Sequence, residues 1–494
     1  MPGGVPAPAP TALVLHWRLP AGPAPAWVRS CQALLQTNGH FRLAGESAAA
    51  RPAAPPGPSA WTVCIGAPPP SDDPVANLWW ISDGDGCPLH PQRPLVHSIT
   101  ARRGLALRLW QRRQHQWVCV RHVHLAASPR YGLGVQHLAR AAAQLLDQAS
   151  VDLALGVVGA LANAPVPQSS DSSGPVWLAL LRGRWRHWLG RQRSRWLRER
   201  WRLGVIDAPA HQVLNLPGPP VVRWLEESAG WGYWADPASS GSDGQLYCEY
   251  FDECSGVGHI ERLTLDEQDR VVDRTPLPLG DGSHVSFPLV LQIDGRRVGL
   301  IENSVRRECV LFEIDDLGHW HPISTLLSGV AAGDPALFVW EGRYWLAYSD
   351  ADLGVMDNLC LQYADKLEGP WQPHANNPVK MDISSARMAG GFFWHDGVLH
   401  RPAQNCLLTY GASVVMHRVV RCTPNEYVEE TLGHLVPDPT GPCRDGLHTF
   451  SAWGQRTLID GKEHTLSLRV AGHKLWRRLR GKRALAPRSL ARTP

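Results

Sequence analysis

Residues 234–250 read WADPASSGSDGQLYCEY, residues 287–302 FPLVLQIDGRRVGLIE and residues 334–350 DPALFVWEGRYWLAYSD. Each is an apolar run, a short Gly-containing turn and a second run rich in apolar and aromatic residues. The cadence returns at 390–404 (GGFFWHDGVLHRPAQ) and 448–461 (HTFSAWGQRTLIDG). The landmarks Pro237, Pro288, Pro335, Gly391 and His448 lie 51, 47, 56 and 57 residues apart. A period near ~50 residues suits four-stranded propeller blades. The dipeptides Asp294-Gly295, Glu341-Gly342 and Asp396-Gly397 are hairpin turns. A β-sandwich shares such turns but not the period. The expectation is a five-bladed β-propeller over 201–475.

Upstream, the pattern changes. Residues 12–17 (ALVLHW), 75–81, 117–124 and 151–158 (VDLALGVV) read as strands, and 26–35 and 134–146 as helices. Strands separated by helices predict a small α/β domain over 1–175 with a partly parallel sheet. Residues 182–202 carry nine Arg and one acid, Glu199, interleaved with Trp and Leu. That predicts a basic amphipathic linker helix over 176–200, which either connects the two parts or lies on a membrane surface. A second basic stretch, HKLWRRLRGKR at 473–483, runs into a tail expected to be disordered over 476–494.

Composition narrows the function. The 494 residues carry a net charge of +4, too small to argue for nucleic acid. Eleven Cys without a C-x-x-C pair suggest neither a zinc site nor a disulfide framework. They fit a reducing compartment. No leader and no apolar run of ~18 residues is read, so the expected location is cytoplasmic, peripheral to an inner membrane at most.

The candidate site residues follow from the repeat. A polar residue stands near the start of each inner strand, where an axial funnel opens: Asp236, His284 with Ser286, Asp334, Arg387 and His448. The second strands end in Glu249, Glu302, and Arg401 with Gln404. Carboxylates from different blades can serve as acid, base or nucleophile at a glycosidic centre. Asp236, Glu302 and Asp334 are therefore the expected catalytic residues. Glu249, His284, Ser286, Arg387, Arg401, Gln404 and His448 are the expected substrate contacts. Arg suits an anionic donor or acceptor. Trp345, Trp371 and Trp394 could stack on a pyranose, with core packing the default. Asp350-Ala351-Asp352 is a D-x-D tripeptide, a pattern common by chance, and no metal or cofactor is assigned.

Several stretches together resemble a known family. They are HVSFPLV (284–290), LIENS (300–304), 334–350, LEGPWQPHANNPVKMD (367–382), ARMAGGFF (386–393), LHRPAQNCLLTYG (399–411) and DGLHTF (445–450). They resemble the N-terminal domain of plant glucosamine inositolphosphorylceramide transferase and its bacterial relatives, often joined to formyltransferase-like domains. The resemblance covers about 200–475. It implies a five-bladed propeller similar to arabinanase- and fructosidase-type hydrolases, with Asp236 and Asp334 as the acids of blades one and three. The resemblance implies that the plant enzyme's transfer chemistry sits in a separate C-terminal domain, and no counterpart of it is expected within these 494 residues. Residues 1–175 weakly resemble the formyltransferase-like region. The corresponding stretch, PVWLALLRG at 175–183, has no His or Asn for formyl transfer, so this part reads as degenerate, a docking module. The expected function is glycosyl transfer in bacterial surface-polysaccharide or glycolipid assembly. The alternatives are a non-catalytic glycan-binding propeller and a glycoside hydrolase. The expected partners are a sugar or sugar phosphate, and an anionic membrane surface or lipid-linked acceptor, without nucleic acid.

Overall fold

The structure is a computed structural model. It describes residues 13–19, 24–37, 41–43, 47–48, 60–89 without 71 and 85, 104–126, 131–156 and 197–466 apart from seven positions between 217 and 243, with isolated positions at 181, 185, 188–189 and 472.

Five small sheets account for residues 197–466. Blade one runs Gly232–Ala238, Gln245–Asp252, Val257–Leu265, Val271–Pro276. Blade two runs Ser286–Ile293, Arg296–Glu302, Glu308–Ile314, Trp320–Ser328. Blade three runs Ala332–Trp340, Arg343–Asp350, Asn358–Ala364, Gln372–Pro373, and Lys380–Met381 also pairs with its third strand. Blade four runs Phe393–His395, Val398–Asn405, Ser413–Cys422, Tyr427–Leu435. Each blade is antiparallel with neighbours in chain order, so local hairpins build it. Asp294-Gly295, Glu341-Gly342 and Asp396-Gly397 all have positive φ at both positions, as tight hairpin turns of matching twist require.

Blade five joins the two ends of the propeller region. Its order is Gly446–Trp453, Arg456–Leu466, Leu197–Ile206, Val222–Trp224. This corrects the expected helix at 176–200 over its last residues. Leu197–Ile206 is a strand that pairs residue for residue with Arg456–Leu466. Trp201, Leu203 and Val205 are buried with a period of two, and that alternation outweighs the helical reading of the arginines. Sharing a blade between both ends closes the ring and covers a sheet edge. The rest of the expected linker, apart from the isolated positions, and the tail at 476–494 lie outside the described residues.

The N-terminal region forms one mixed sheet in the order Phe41–Leu43, Leu13–Leu19, Ala60–Ile65, Leu78–Asp83, Leu105–Arg113, Gln116–Leu125, with Ser47–Ala48 also on Leu13–Leu19. The first four pair in parallel and the last two add antiparallel. Helices Ala26–Thr37 and Tyr131–Leu155 contribute Trp27, Val28, Leu138, Leu145 and Leu146 to a shared core with Leu15, Trp17, Val63 and Leu107. The strand expected at 151–158 is absent over 151–155, which is the last part of the second helix. Buried Leu145, Ala149 and Asp152 continue the helical spacing, and Gly156 at φ 68 ends it. No described helix is long and apolar enough to cross a membrane.

Candidate functional site

A strained bulge builds the site. In blades one, two and three the inner-strand register shifts at Ala235/Ala238, Ser286/Leu289 and Gly333/Ala336. Asp236, Phe287 and Asp334 sit at these bulges with φ of 54, 47 and 48, and each precedes a proline. A left-handed φ on a non-glycine residue costs of order 1 kcal/mol or more and persists only where surroundings hold it. A bulge also frees a backbone N–H from the ladder, and a buried N–H needs an acceptor.

Carboxylates supply those acceptors across blades. Asp236 N–H donates to Asp460 Oδ2 at 3.0 Å, Phe287 N–H to Asp236 Oδ2 at 3.3 Å, and Asp334 N–H to Glu302 Oε2 at 2.9 Å. In blade five the shift falls at Leu447/Phe450, and the His448 and Thr449 N–H groups donate to Asp460 Oδ1 at 3.2 and 2.9 Å. The acids at the axis are thus drawn together partly by the backbone they stabilise.

Two charged groups sit among the acids. His448 bridges Asp236 Oδ1 from Nε2 at 2.9 Å and Asp460 Oδ1 from Nδ1 at 2.8 Å. Burial pulls its pKa down, but Asp460 and Asp236 overcome that and hold it well above the usual histidine range. The ring is therefore an imidazolium clasped between blades one and five, with Trp201 against it at 3.9 Å between ring centroids. One ligand-type atom from each of Asp236, His448 and Asp460 lies within 4.8 Å of the others. A cation bound there would take one of the histidine nitrogens from its carboxylate.

Arg387 forks onto Asp334, with Nη2 to Oδ1 at 2.9 Å, and donates from Nη1 to Val355 O at 2.6 Å. Gln404 Nε2 reaches Asp334 Oδ2 at 2.8 Å. Tyr410 places its ring 5.5 Å from the Arg387 guanidinium and 5.1 Å from His448. Burial pushes the Asp334 carboxyl up to about 7, with Glu302 and Asp236 adding to the shift and Arg387 opposing it. Glu249, from the second strand of blade one, is raised well above the carboxylate range by burial, Asp236 and Glu302. Its Oε1 accepts no hydrogen bond. Gly258 makes room for it, since a Cβ there would meet Glu249 Oε1 at 2.0 Å.

The expected residues divide accordingly. Asp236, Glu249, Glu302, Asp334, Arg387, Gln404 and His448 come together. Ser286 pairs with Glu302 across blade two. His284 stands at the edge of the cluster, its side chain about one-third exposed, with Nδ1 accepting Gly258 N–H at 2.8 Å. That nitrogen therefore offers no proton to Glu249 Oε1, 3.8 Å away. Arg401 is a correction. It is fully buried and directed away from the cluster, onto Glu429 at 2.6 and 2.7 Å and the carbonyls of Ser385 and Ala386 at 2.7 and 3.0 Å. These contacts tie the second and fourth strands of blade four to the turn at 385–386. Trp345 is core, and Trp394 is exposed and stacked on Trp340 at 5.6 Å. The D-x-D pair caps its own turn and meets Arg307. Asp460 and Tyr410 were missed from sequence. Ala235 pairs with Glu249 and Ser286 with Glu302, but Leu447 pairs with Gly461. Asp460 thus stands one residue before the matching ladder position, where comparing strand ends does not find it.

Fold and site together define a five-bladed propeller with a buried, acid-rich axial cluster. Residues 258–440 match the family described as glucosamine inositolphosphorylceramide transferase 1, N-terminal. The chain is similar to the glucosamine inositolphosphorylceramide transferase 1 of Oryza sativa subsp. indica, 28% identical over 158 residues, 31% of this chain and 21% of that protein. It is also similar to the Arabidopsis thaliana protein of the same name, 29% identical over 163 residues, again 31% of this chain and 21% of that protein. The matched stretch thus spans about a fifth of these relatives. The family match holds Glu302, Asp334, Arg387 and Gln404 but neither Asp236, Glu249, His448 nor Asp460. Among solved structures, a thermostable family-43 glycoside hydrolase aligns at TM-score 0.34 and 15% identity over 44% of this chain and 84% of its own. An exo-β-1,3-galactanase from Phanerochaete chrysosporium aligns at 0.33 and 11% over 44% and 58%. The blade count rests on the sheet pairing itself.

Proposed function

We infer that the axial cluster binds a sugar-bearing substrate and transfers its glycosyl group, in assembly of a bacterial surface polysaccharide or glycolipid. One observation carries this reading. Four acids from three blades, Asp236, Glu249, Glu302 and Asp334, interact in one buried site that raises two of them. Glycosidic chemistry needs one carboxyl that gives a proton and another that receives one. Glu249, which burial, Asp236 and Glu302 push up and whose Oε1 accepts no hydrogen bond, is the acid placed to protonate the departing oxygen. Asp236 or Glu302 takes the proton of the incoming hydroxyl, so the proton count closes. Asp334, itself held by Gln404, orients Arg387, whose charge suits an anionic donor. The similarity of 258–440 to a glycolipid transferase's N-terminal region supports a sugar- or lipid-linked substrate.

The test is a mass-spectrometric screen of the full chain against sugar nucleotides and glycolipid acceptors. Wild type should convert a donor–acceptor pair and Glu249→Gln should not. Product with water in place of the acceptor would make the protein a hydrolase. A second reading, glycan binding without turnover, is favoured by the backbone amides that already occupy Asp236, Glu302 and Asp460. Retention of a glycan without product would select it. A lipid-linked acceptor would place the protein at an anionic membrane surface on the cytoplasmic side, with the basic stretches 182–195 and 473–483 supplying the attraction.

A further inference from the structure

Arg387 ends a segment that the N-terminal region holds. Residues 374–383 run from blade three along the helix Tyr131–Leu155 and the edge strand Gln116–Leu125. Asn376 Nδ2 donates to Asp152 Oδ1 at 2.7 Å, and Asp152 is also forked by Arg121 at 2.7 and 2.8 Å. Gln148 donates to the carbonyl of Pro378. Met381 is buried in the N-terminal core. Ile383 N–H donates to His124 O at 2.7 Å, extending the edge strand of the sheet, and His124 Nδ1 lies 3.4 Å from Asp382 Oδ1.

From Asp382 the chain makes one tight turn to Arg387. The Asp382 carboxylate accepts Ser384 N–H at 2.9 Å and the Ser384 and Ser385 hydroxyls at 2.6 Å, while Ala386 N–H returns to Asp382 O at 2.8 Å. From the propeller side Arg401 grips the carbonyls of Ser385 and Ala386. Glu429 holds Arg401, and Lys380 at 2.7 Å ties Glu429 back to the same segment. Arg387 emerges from this double grip directly onto Asp334. Ala386 packs in the propeller core and Arg387 O accepts Gln404 N–H at 2.8 Å, so blade four fixes one side of the turn and the N-terminal contacts fix the other.

We propose that the N-terminal region, through the helix Tyr131–Leu155 and the edge strand Gln116–Leu125, is a positioning element for Arg387, acting through residues 374–386, with Asn376, His124 and Arg401 as positioning residues. This gives the N-terminal region a definite target within its own chain. It rests on Arg387 belonging to the axial site, but not on which sugar is handled there.

The test uses two full-length variants, Asn376→Ala and His124→Ala, each altering the docking contacts from a different side. Two readouts are compared with wild type. Hydrogen exchange at amides within 383–390 should rise about tenfold, the change expected from losing one or two net hydrogen bonds. Exchange within Gly232–Ala238 of blade one should stay unchanged. The Asp334 titration, followed as a carboxyl infrared band assigned with Asp334→Asn, should move above its wild-type midpoint, because a displaced Arg387 no longer opposes protonation. A purely structural loss would lower the melting temperature and leave that midpoint in place. Unchanged exchange within 383–390, or an unmoved Asp334 midpoint in both variants, overturns the proposal. Neither readout requires turnover, so failure here is distinguishable from failure of the glycosyl-transfer reading.

Discussion

Replacing Arg401 by Met separates a structural role from a binding role. The guanidinium is fully buried and forks onto Glu429, itself nearly buried. Removing one partner of such a pair leaves an uncompensated carboxylate and costs about 3–5 kcal/mol. Here Lys380 and the Tyr427 hydroxyl remain on Glu429 at 2.7 Å each, so the lower end applies, about 3 kcal/mol. The carbonyls of Ser385 and Ala386 lose their donors in the same step, and that cost overlaps with the first. With a urea dependence of about 3 kcal/mol per M, the unfolding midpoint should fall by about 1 M. Arg343→Met, which removes an exposed partner of Asp365, should change stability by less than about 1 kcal/mol and serves as the control. The assay is urea unfolding followed by tryptophan fluorescence. A variant with wild-type midpoint and weakened ligand binding would make Arg401 a substrate contact and not a structural one.

The other predictions follow from the axial cluster and the basic stretches. Asp334 is raised in the folded state, so the folded protein holds a proton there that the unfolded chain releases. Its contribution is greatest below about pH 4 and declines as pH rises to about 7, so Asp334→Asn should flatten that part of a pH series of melting temperatures relative to wild type. For His448 the sign gives a different window. Its clasp contributes fully below about pH 6.5 and is lost only as pH rises through its raised folded value, so His448→Gln should lose stability at pH 6 and lose less in strong alkali. Gly258→Ala should displace Glu249 and reduce turnover at least tenfold while the circular dichroism spectrum stays unchanged. Binding to phosphatidylglycerol vesicles by co-sedimentation should be strong at low salt and fall at high salt. Equal binding to neutral vesicles would leave the basic stretches without an electrostatic role.

Much of the propeller was legible because its blades are local. The hairpin dipeptides and the Asp-Pro and Phe-Pro bulges recur at a blade's length, and both signals lie within a few residues of sequence. Blade five was only half legible. Its outer strands come from Leu197–Ile206 and Val222–Trp224, and the arginines of 198–202 hid the alternation of Trp201, Leu203 and Val205. The site was legible where polar residues begin or end strands, as at Asp236, Glu249, Glu302 and Asp334. It was not legible where a partner is distant in the chain. Arg401 reads like any strand arginine until Glu429 is placed beside it, and Asp460 becomes visible only through the shifted register of blade five. The helix through 151–155 was mistaken for a strand because an apolar run alone does not distinguish the two.

The proposed function puts the sugar at the axis of the propeller, among Asp236, Glu249, Asp334 and Arg387. The most direct measurement is a crystal structure of the full-length Glu249→Gln variant soaked with the donor and acceptor sugars used in the screen. Glycosyl density is expected within hydrogen-bond reach of position 249 and of Arg387. Density on the N-terminal sheet or the outer blade faces, with the axial cluster empty, would contradict it.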